Sequence, residues 1–244
     1  MRFAKSLFLV LFAVALVFSC TTVDTAGINK LDSVALISVF CDKNIGYSNF
    51  TKNVSAIGLI NGLANAKDFD LSTQASSLRD QLFSEYASRF PFKLLEEASV
   101  LSNEGYKALV AETSKSGIFM SMNVPQGYSA YYPNTIGGKI GIKDFAAALP
   151  AASGFMMAVL RYELVKTGIA IAGFGNAVIR ASLEIKIVDR EGKTMMYVMK
   201  TADSDTKVPY VLGDIIDTKV LPQAVADASA KVRKIMLDFL AKNL

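Results

Sequence analysis

Over residues 178–188 the chain reads VIRASLEIKIV, with Ile179, Ala181, Leu183, Ile185 and Ile187 at one parity and Arg180, Ser182, Glu184 and Lys186 at the other. Alternation with a period of two predicts a strand with one dry and one wet face. Asp189, Arg190, Glu191 and Gly192 supply a turn, and residues 193–201 (KTMMYVMKT) predict the antiparallel return of a hairpin. A shorter run over residues 33–41 (SVALISVFC), rich in Val and Ile and bounded by Asp32 and Asp42, predicts a buried strand. Residues 118–124 (IFMSMNV) alternate as well, and residues 92–101 (FKLLEEASVL) predict a further strand with less regular spacing.

Elsewhere the apolar spacing lengthens towards 3.6. In residues 75–90 (ASSLRDQLFSEYASRF), Leu78, Leu82, Phe83, Tyr86 and Phe90 share a helix face until Pro91 stops the run. Ser102 has the chemistry of an N-cap for a helix over 103–116, with Gly117 just past its end. Pro222 opens a last helix to about Lys242. There Val225, Ala228, Val232, Ile235, Met236, Phe239 and Leu240 fall in one arc, opposite Asp227, Lys231, Lys234 and Asp238. Residues 143–166 are also helix-forming, with Pro150 expected to kink or divide them. Residues 42–74 predict an irregular connection, and 202–219 are polar and then mixed. The pattern describes an α/β (α+β) fold: a mixed sheet of about 4–6 strands flanked by amphipathic helices, one domain over 30–244 with a helical insertion at about 127–177.

Within that insertion, residues 145–160 (FAAALPAASGFMMAVL) carry no charge. As a helix they would be roughly 24 Å long at ~1.5 Å per residue, short for a bilayer core of about 30 Å. A buried helix pair is the plainer expectation. The alternative is an amphipathic element lying on a membrane or lining an apolar pocket, with Phe145, Phe155, Met156 and Met157 as adaptable contacts. Tyr128, Tyr131 and Tyr132 beside it join apolar rings to polar tips and suit an interface with a membrane or a partner.

Composition narrows the chemistry. The chain has no histidine, so Ser-His-Asp and Cys-His catalysis and most catalytic zinc sites lack their material. No catalytic residue, metal site or cofactor is expected. GFGNAV at 173–178 begins like a dinucleotide fingerprint, but it lacks the third small residue and precedes a strand. Asp203-Ser204-Asp205 starts like a calcium loop, yet Lys207 occupies the next ligand position. Glu96 and Glu97, as neighbours in a strand, would point to opposite faces. With 26 basic against 22 acidic residues and no block of like charge, a phosphate-tracking stripe for nucleic acid is not supported.

The N-terminal residues change the picture of where the chain acts. Arg2 and Lys5 precede an uncharged apolar run over 7–18, which ends at Ser19. That is the layout of a secretory leader over 1–19, too short for a comfortable span. Val17, Phe18, Ser19 and Cys20 then resemble the lipobox of bacterial lipoproteins, with Phe18 similar to the looser lipoboxes of spirochaetes. The resemblance implies cleavage before Cys20, a diacylglycerol on its thiol and an acylated amino terminus. Two or three acyl chains, at about 0.8 kcal/mol per buried methylene, make a lasting anchor. Thr21 stands where an Asp retains enteric lipoproteins in the inner membrane, so the resemblance implies the outer membrane. Residues 20–29, small and polar, read as a short lipidated tether. Cys41 is left without a disulfide partner and reads as a small buried hydrophobe.

The order of elements, with SVALISVF at 33–40 and the hairpin LEIKIVDREGKTMMYV at 183–198, resembles the small α/β domain of bacterial envelope proteins such as the amino-terminal domain of TolB, CsgG and LpoB. That family offers no catalytic residues to carry over. The expected function is therefore a non-enzymatic envelope lipoprotein that binds another envelope protein, and the alternative is a lipoprotein whose 127–177 segment inserts into or perturbs the outer membrane.

Overall fold

The computed structural model describes residues 21–46, 71–115, 122–133, 140–171, 173–211, 214–215 and 217–244. The expected leader over 1–19, Cys20, residues 118–121 of one predicted strand and residues 47–70 of the predicted connection lie outside them.

The chain has a mixed α/β fold. Its strands are β1 (Thr21–Val23), β2 (Ser33–Asp42), β3 (Lys93–Leu94), β4 (Met122–Asn123), β5 (Gly154–Ile171), β6 (Phe174–Asp189), β7 (Thr194–Asp203), β8 (Val208–Val211) and β9 (Asp214–Ile215). They form one sheet in the order β1-β7-β6-β5-β2-β3, with β4 beside β2, β8 beside the far end of β6 and β9 outside β8. β2 runs parallel to β3 and β5, and the other pairs are antiparallel. The helices are α1 (Thr25–Ile28), α2 (Ser72–Gln81), α3 (Glu97–Leu101), α4 (Glu104–Thr113), α5 (Ile142–Ala148) and α6 (Leu221–Asn243). α2 continues as a widened π turn at Leu82–Tyr86 and a 3-10 turn at Ala87–Arg89 before Pro91.

The β6–β7 hairpin and α6 are where the periodicity puts them. Ile179, Ala181, Leu183, Ile185 and Ile187 of β6 all enter one core, together with Val225, Ala228, Val232, Met236 and Leu240 of α6 and with Leu78, Leu82 and Tyr86 of α2 and its continuation. Fully burying such a side chain contributes about 1.5–3 kcal/mol, so this face is the main source of stability. A one-residue bulge in β2 serves the same face: Leu36 pairs with Met156 and Ser38 with Met157, leaving Ile37 extra. Leu36 and Val39 consequently point into one core although their parities differ. The other face holds a smaller core, in which Ala35, Ile37, Phe155, Met157 and Val188 lie under Tyr106 of α4 and Ile142 and Phe145 of α5.

Several expectations are corrected. The helix expected over 143–166 is cut short, and the second half of the expected helical insertion over 127–177 is strand: α5 stops at Ala148, and from Gly154 the chain is β5, the longest strand among the described residues. Pro150 and Gly154 end the helix, and the same residues also carry a period of two, since Met156, Ala158, Leu160, Tyr162 and Leu164 share one face. Pairing with β2 and β6 decides between the two periods. The Arg190 guanidinium fixes the junction by donating to the carbonyls of Ala146, Pro150 and Ala152 at 2.8, 3.2 and 2.6 Å.

The described part of the supposed tether is also folded. Thr21, Thr22 and Val23 pair with Val198, Tyr197 and Met196, Asp24 caps α1, and Ile28 is buried in the main core. Residues 92–101 give a strand only at Lys93–Leu94, followed by α3, so Glu96 and Glu97 begin a helix. Asn103, not Ser102, caps α4 by accepting from the Tyr106 amide at 2.9 Å. Within 202–219 the chain adds β8 and β9.

Candidate functional site

The seven residues singled out as membrane or partner contacts do not form a surface. Tyr128, Phe145, Phe155, Met156 and Met157 are buried, and Met156 faces the opposite core from Phe155 and Met157. Phe145 is the hub: its ring centroid lies 4.8 Å from Tyr131, 6.2 Å from Tyr106 and 6.4 Å from Phe155. The expectation failed because it assumed a helix with an outward face, whereas a central strand beneath α4 and α5 has none. The Tyr128 hydroxyl donates to Glu97 at 3.0 Å, and burial pushes the Tyr131 phenol up to about 12.

Tyr132 is half-buried and leads to a polar patch on the sheet. Its hydroxyl donates to Glu184, whose side chain is only 6% exposed and accepts from Arg161 Nη1 at 3.0 Å. Arg161 Nε stands 4.0 Å from Asp42, and Lys186 Nζ lies 5.4 Å from the Tyr132 ring centroid. Burial raises the Asp42 carboxyl above its ordinary pKa, with Arg161 opposing the shift. These groups satisfy one another and pin the loop carrying Tyr132 to β6.

A second polar region lies between α2 and α6. The Tyr162 hydroxyl is 2.6 Å from Ser229 Oγ and 3.2 Å from Gln74, and Arg233 donates to Ser77 Oγ at 2.8 Å and to the Gln74 carbonyl at 3.3 Å. Beside it a groove of about 430 Å³ runs along Gln81, Glu85, Arg233 and Lys234. Cys41 is buried nearby, and burial raises its thiol far above the ordinary range, so it is not a nucleophile near neutral pH. Asp203 is taken by Arg180 at 2.7 Å and Asp205 by Lys231 at 2.6 Å, which makes Asp203-Ser204-Asp205 a salt-bridged corner.

The exposed feature is at the far end of the β5–β6 ribbon. Ile171 is 78% exposed and Phe174 61%, on either side of a turn in which Gly173 has φ +85°. From Thr167 to Ile179 no residue is charged. Gly175 is required there by close approach: a Cβ would lie 2.5 Å from the Tyr210 ring, which packs across β6 from β8. Lys166 Nζ sits 5.9 Å from the centroid of that ring. Sequence reasoning passed over Ile171 and Phe174 as a lead-in to the next strand. The available signal was a glycine-rich apolar stretch without the alternation of its flanks.

Cys20, the lipidation candidate, lies outside the described residues, and β1 begins at the next position. No protein-family model matches the chain, and a search of curated proteins finds no match either.

Proposed function

We propose that this chain is a membrane-anchored envelope lipoprotein whose α/β domain acts without catalysis, as a protein-binding or assembly module. The observation that carries the reading is the junction at residue 20: a lipobox-like VFSC at 17–20 is followed immediately by β1, hydrogen-bonded to β7 from Thr21. Lys193 Nζ holds Asp24 at 2.9 Å just beyond. A lipid on Cys20 would couple to the sheet edge with no slack and would fix which surfaces of the domain meet the membrane and which remain open to a partner. The resemblance to non-catalytic envelope domains, the inert setting of Cys41 and the absence of histidine from the sequence all support a binding role. Growth with a labelled fatty acid tests the anchor: the native chain takes up label and the Cys20→Ala variant does not. Label on the variant contradicts the reading. Crosslinking in the native envelope then identifies the protein held by the domain, expected in the outer membrane.

A second reading, direct contact between the domain and lipid, is favoured by Ile171 and Phe174. The helix first considered for that role is strand β5.

A further inference from the structure

We propose that the β5–β6 turn is a second membrane contact, in which Ile171 and Phe174 enter the acyl region of a phospholipid bilayer while Lys166 and Lys207 stay at the headgroups. The inference rests on the anchored reading only for the presence of a bilayer nearby.

Four observations support lipid as the occupant. First, Ile171 and Phe174 are the two most exposed large apolar side chains among the described residues, and they share one turn. Second, the turn brings no charge with it: the nearest charged residues on its own strands are Lys166 and Arg180, and Arg180 is paired with Asp203. Third, the cations stand at one level behind the tip. Lys166 pairs with Ala177, Ala177 pairs with Val208, and Lys207 directly precedes Val208. At ~3.4 Å per residue the step from Ala177 to Phe174 is about 10 Å along the strands, so the two lysines stand a short step back from the apolar tip. Long basic side chains at that level keep their heads in the anionic layer while their stems lie on apolar surface. Fourth, a stable protein interface buries on the order of 1,200–2,000 Å², and two side chains on a glycine-flanked turn offer far less. Lipid requires no matching surface.

Asp214 is level with Phe174 through Val211 but two strands away on β9, so the insertion is confined to the β5–β6 turn. The direction of β1 agrees with the arrangement. Thr21 is level with Val198 and hence with Ile185, and β1 runs in the same direction as β6, so its first residue is on the side nearer the turn. From Ile185 to Phe174 is about 37 Å at ~3.4 Å per residue. A bilayer that receives both a lipid at residue 20 and the turn therefore lies at a shallow angle to the strands.

The chain contains no tryptophan, so Phe174→Trp creates a single reporter. The full chain, purified in detergent, is reconstituted into phosphatidylcholine–phosphatidylglycerol vesicles with brominated acyl chains. The indole of the Phe174→Trp chain is expected to lose most of its emission and shift to the blue. In a separate Ile235→Trp chain, whose reporter replaces a residue 42% exposed on α6, both should stay unchanged. In an Ile171→Trp chain, adding Phe174→Asp should relieve the quenching at the turn. Because both turn sites are exposed, these variants retain the fold, which far-ultraviolet circular dichroism verifies. An indole at position 174 quenched no more than one at position 235 overturns the proposal, as does a photo-crosslink from position 174 to protein in place of lipid. Retention of the chain on vesicles with an unquenched indole at position 174 leaves the anchor standing and removes only the turn.

Discussion

The two ends of the β5–β6 ribbon are built from similar residues and live in opposite surroundings. At the base, Phe155, Met156, Met157 and Ala158 are buried, alternating between the main core that α2 and α6 close and the smaller core of α4 and α5. At the tip, Ile171 and Phe174 are exposed. Hydrophobicity along the strand does not distinguish the two. What does is coverage: a strand is a core element only where helices close over it.

This contrast can be broken most strongly at the base. Phe155→Ala should cost about 3–5 kcal/mol in urea unfolding, by loss of transfer energy and creation of a cavity against Phe145, whereas Phe174→Ala at the tip should stay within about 0.5 kcal/mol. Equal losses at the two ends would erase the distinction. Ile28→Ala, in the segment that reads as tether from sequence, is expected to cost about 2–5 kcal/mol because Ile28 is buried in the main core; a neutral result would return residues 21–29 to the status of a linker.

Next in size is Glu184→Ala, which removes the carboxylate that Arg161 and the Tyr132 hydroxyl share. Because Arg161 is 42% exposed and water can reach it, the expected loss is about 1–3 kcal/mol, and Glu184→Gln should recover part of it. High pH acts on the base and spares the tip. Burial raises the phenols of Tyr86, Tyr106, Tyr128, Tyr131 and Tyr162, with Tyr131 at about 12. The folded state therefore keeps protons that the unfolded chain loses at about pH 10. Stability from these groups is complete below pH ~10 and declines as pH rises towards 12 and beyond. A Tm series from pH ~8 to ~11.5 should be flat at first and fall in its upper part; a rise there would contradict the burial of these rings.

The sequence made the β6–β7 hairpin and α6 legible because Ile179 to Ile187 and Val225 to Leu240 each fit a single period. β5 was illegible for the opposite reason. Residues 154–164 satisfy a helix stripe and a strand alternation alike, and the choice is made by pairing with β2, more than a hundred residues upstream. β1 and β9 were missed because two or three residues form a strand only when a partner edge is already present. The candidate site suffered from the same non-locality. Phe145, Phe155 and Met157 could be ranked as apolar from sequence, but their burial depends on where α4 and α5 close over the sheet. The exposure of Phe174 likewise depends on where that cover ends. The proposed anchor rests on sequence alone, since the resemblance to a lipobox is a linear string.

The proposed anchor turns on residue 20. Intact-mass and peptide mass spectrometry of the protein from its native membrane should find Cys20 as the first residue, with a diacylglycerol on its sulfur and an acyl group on its amine. A free thiol at Cys20, or residues 1–19 still attached, would contradict it.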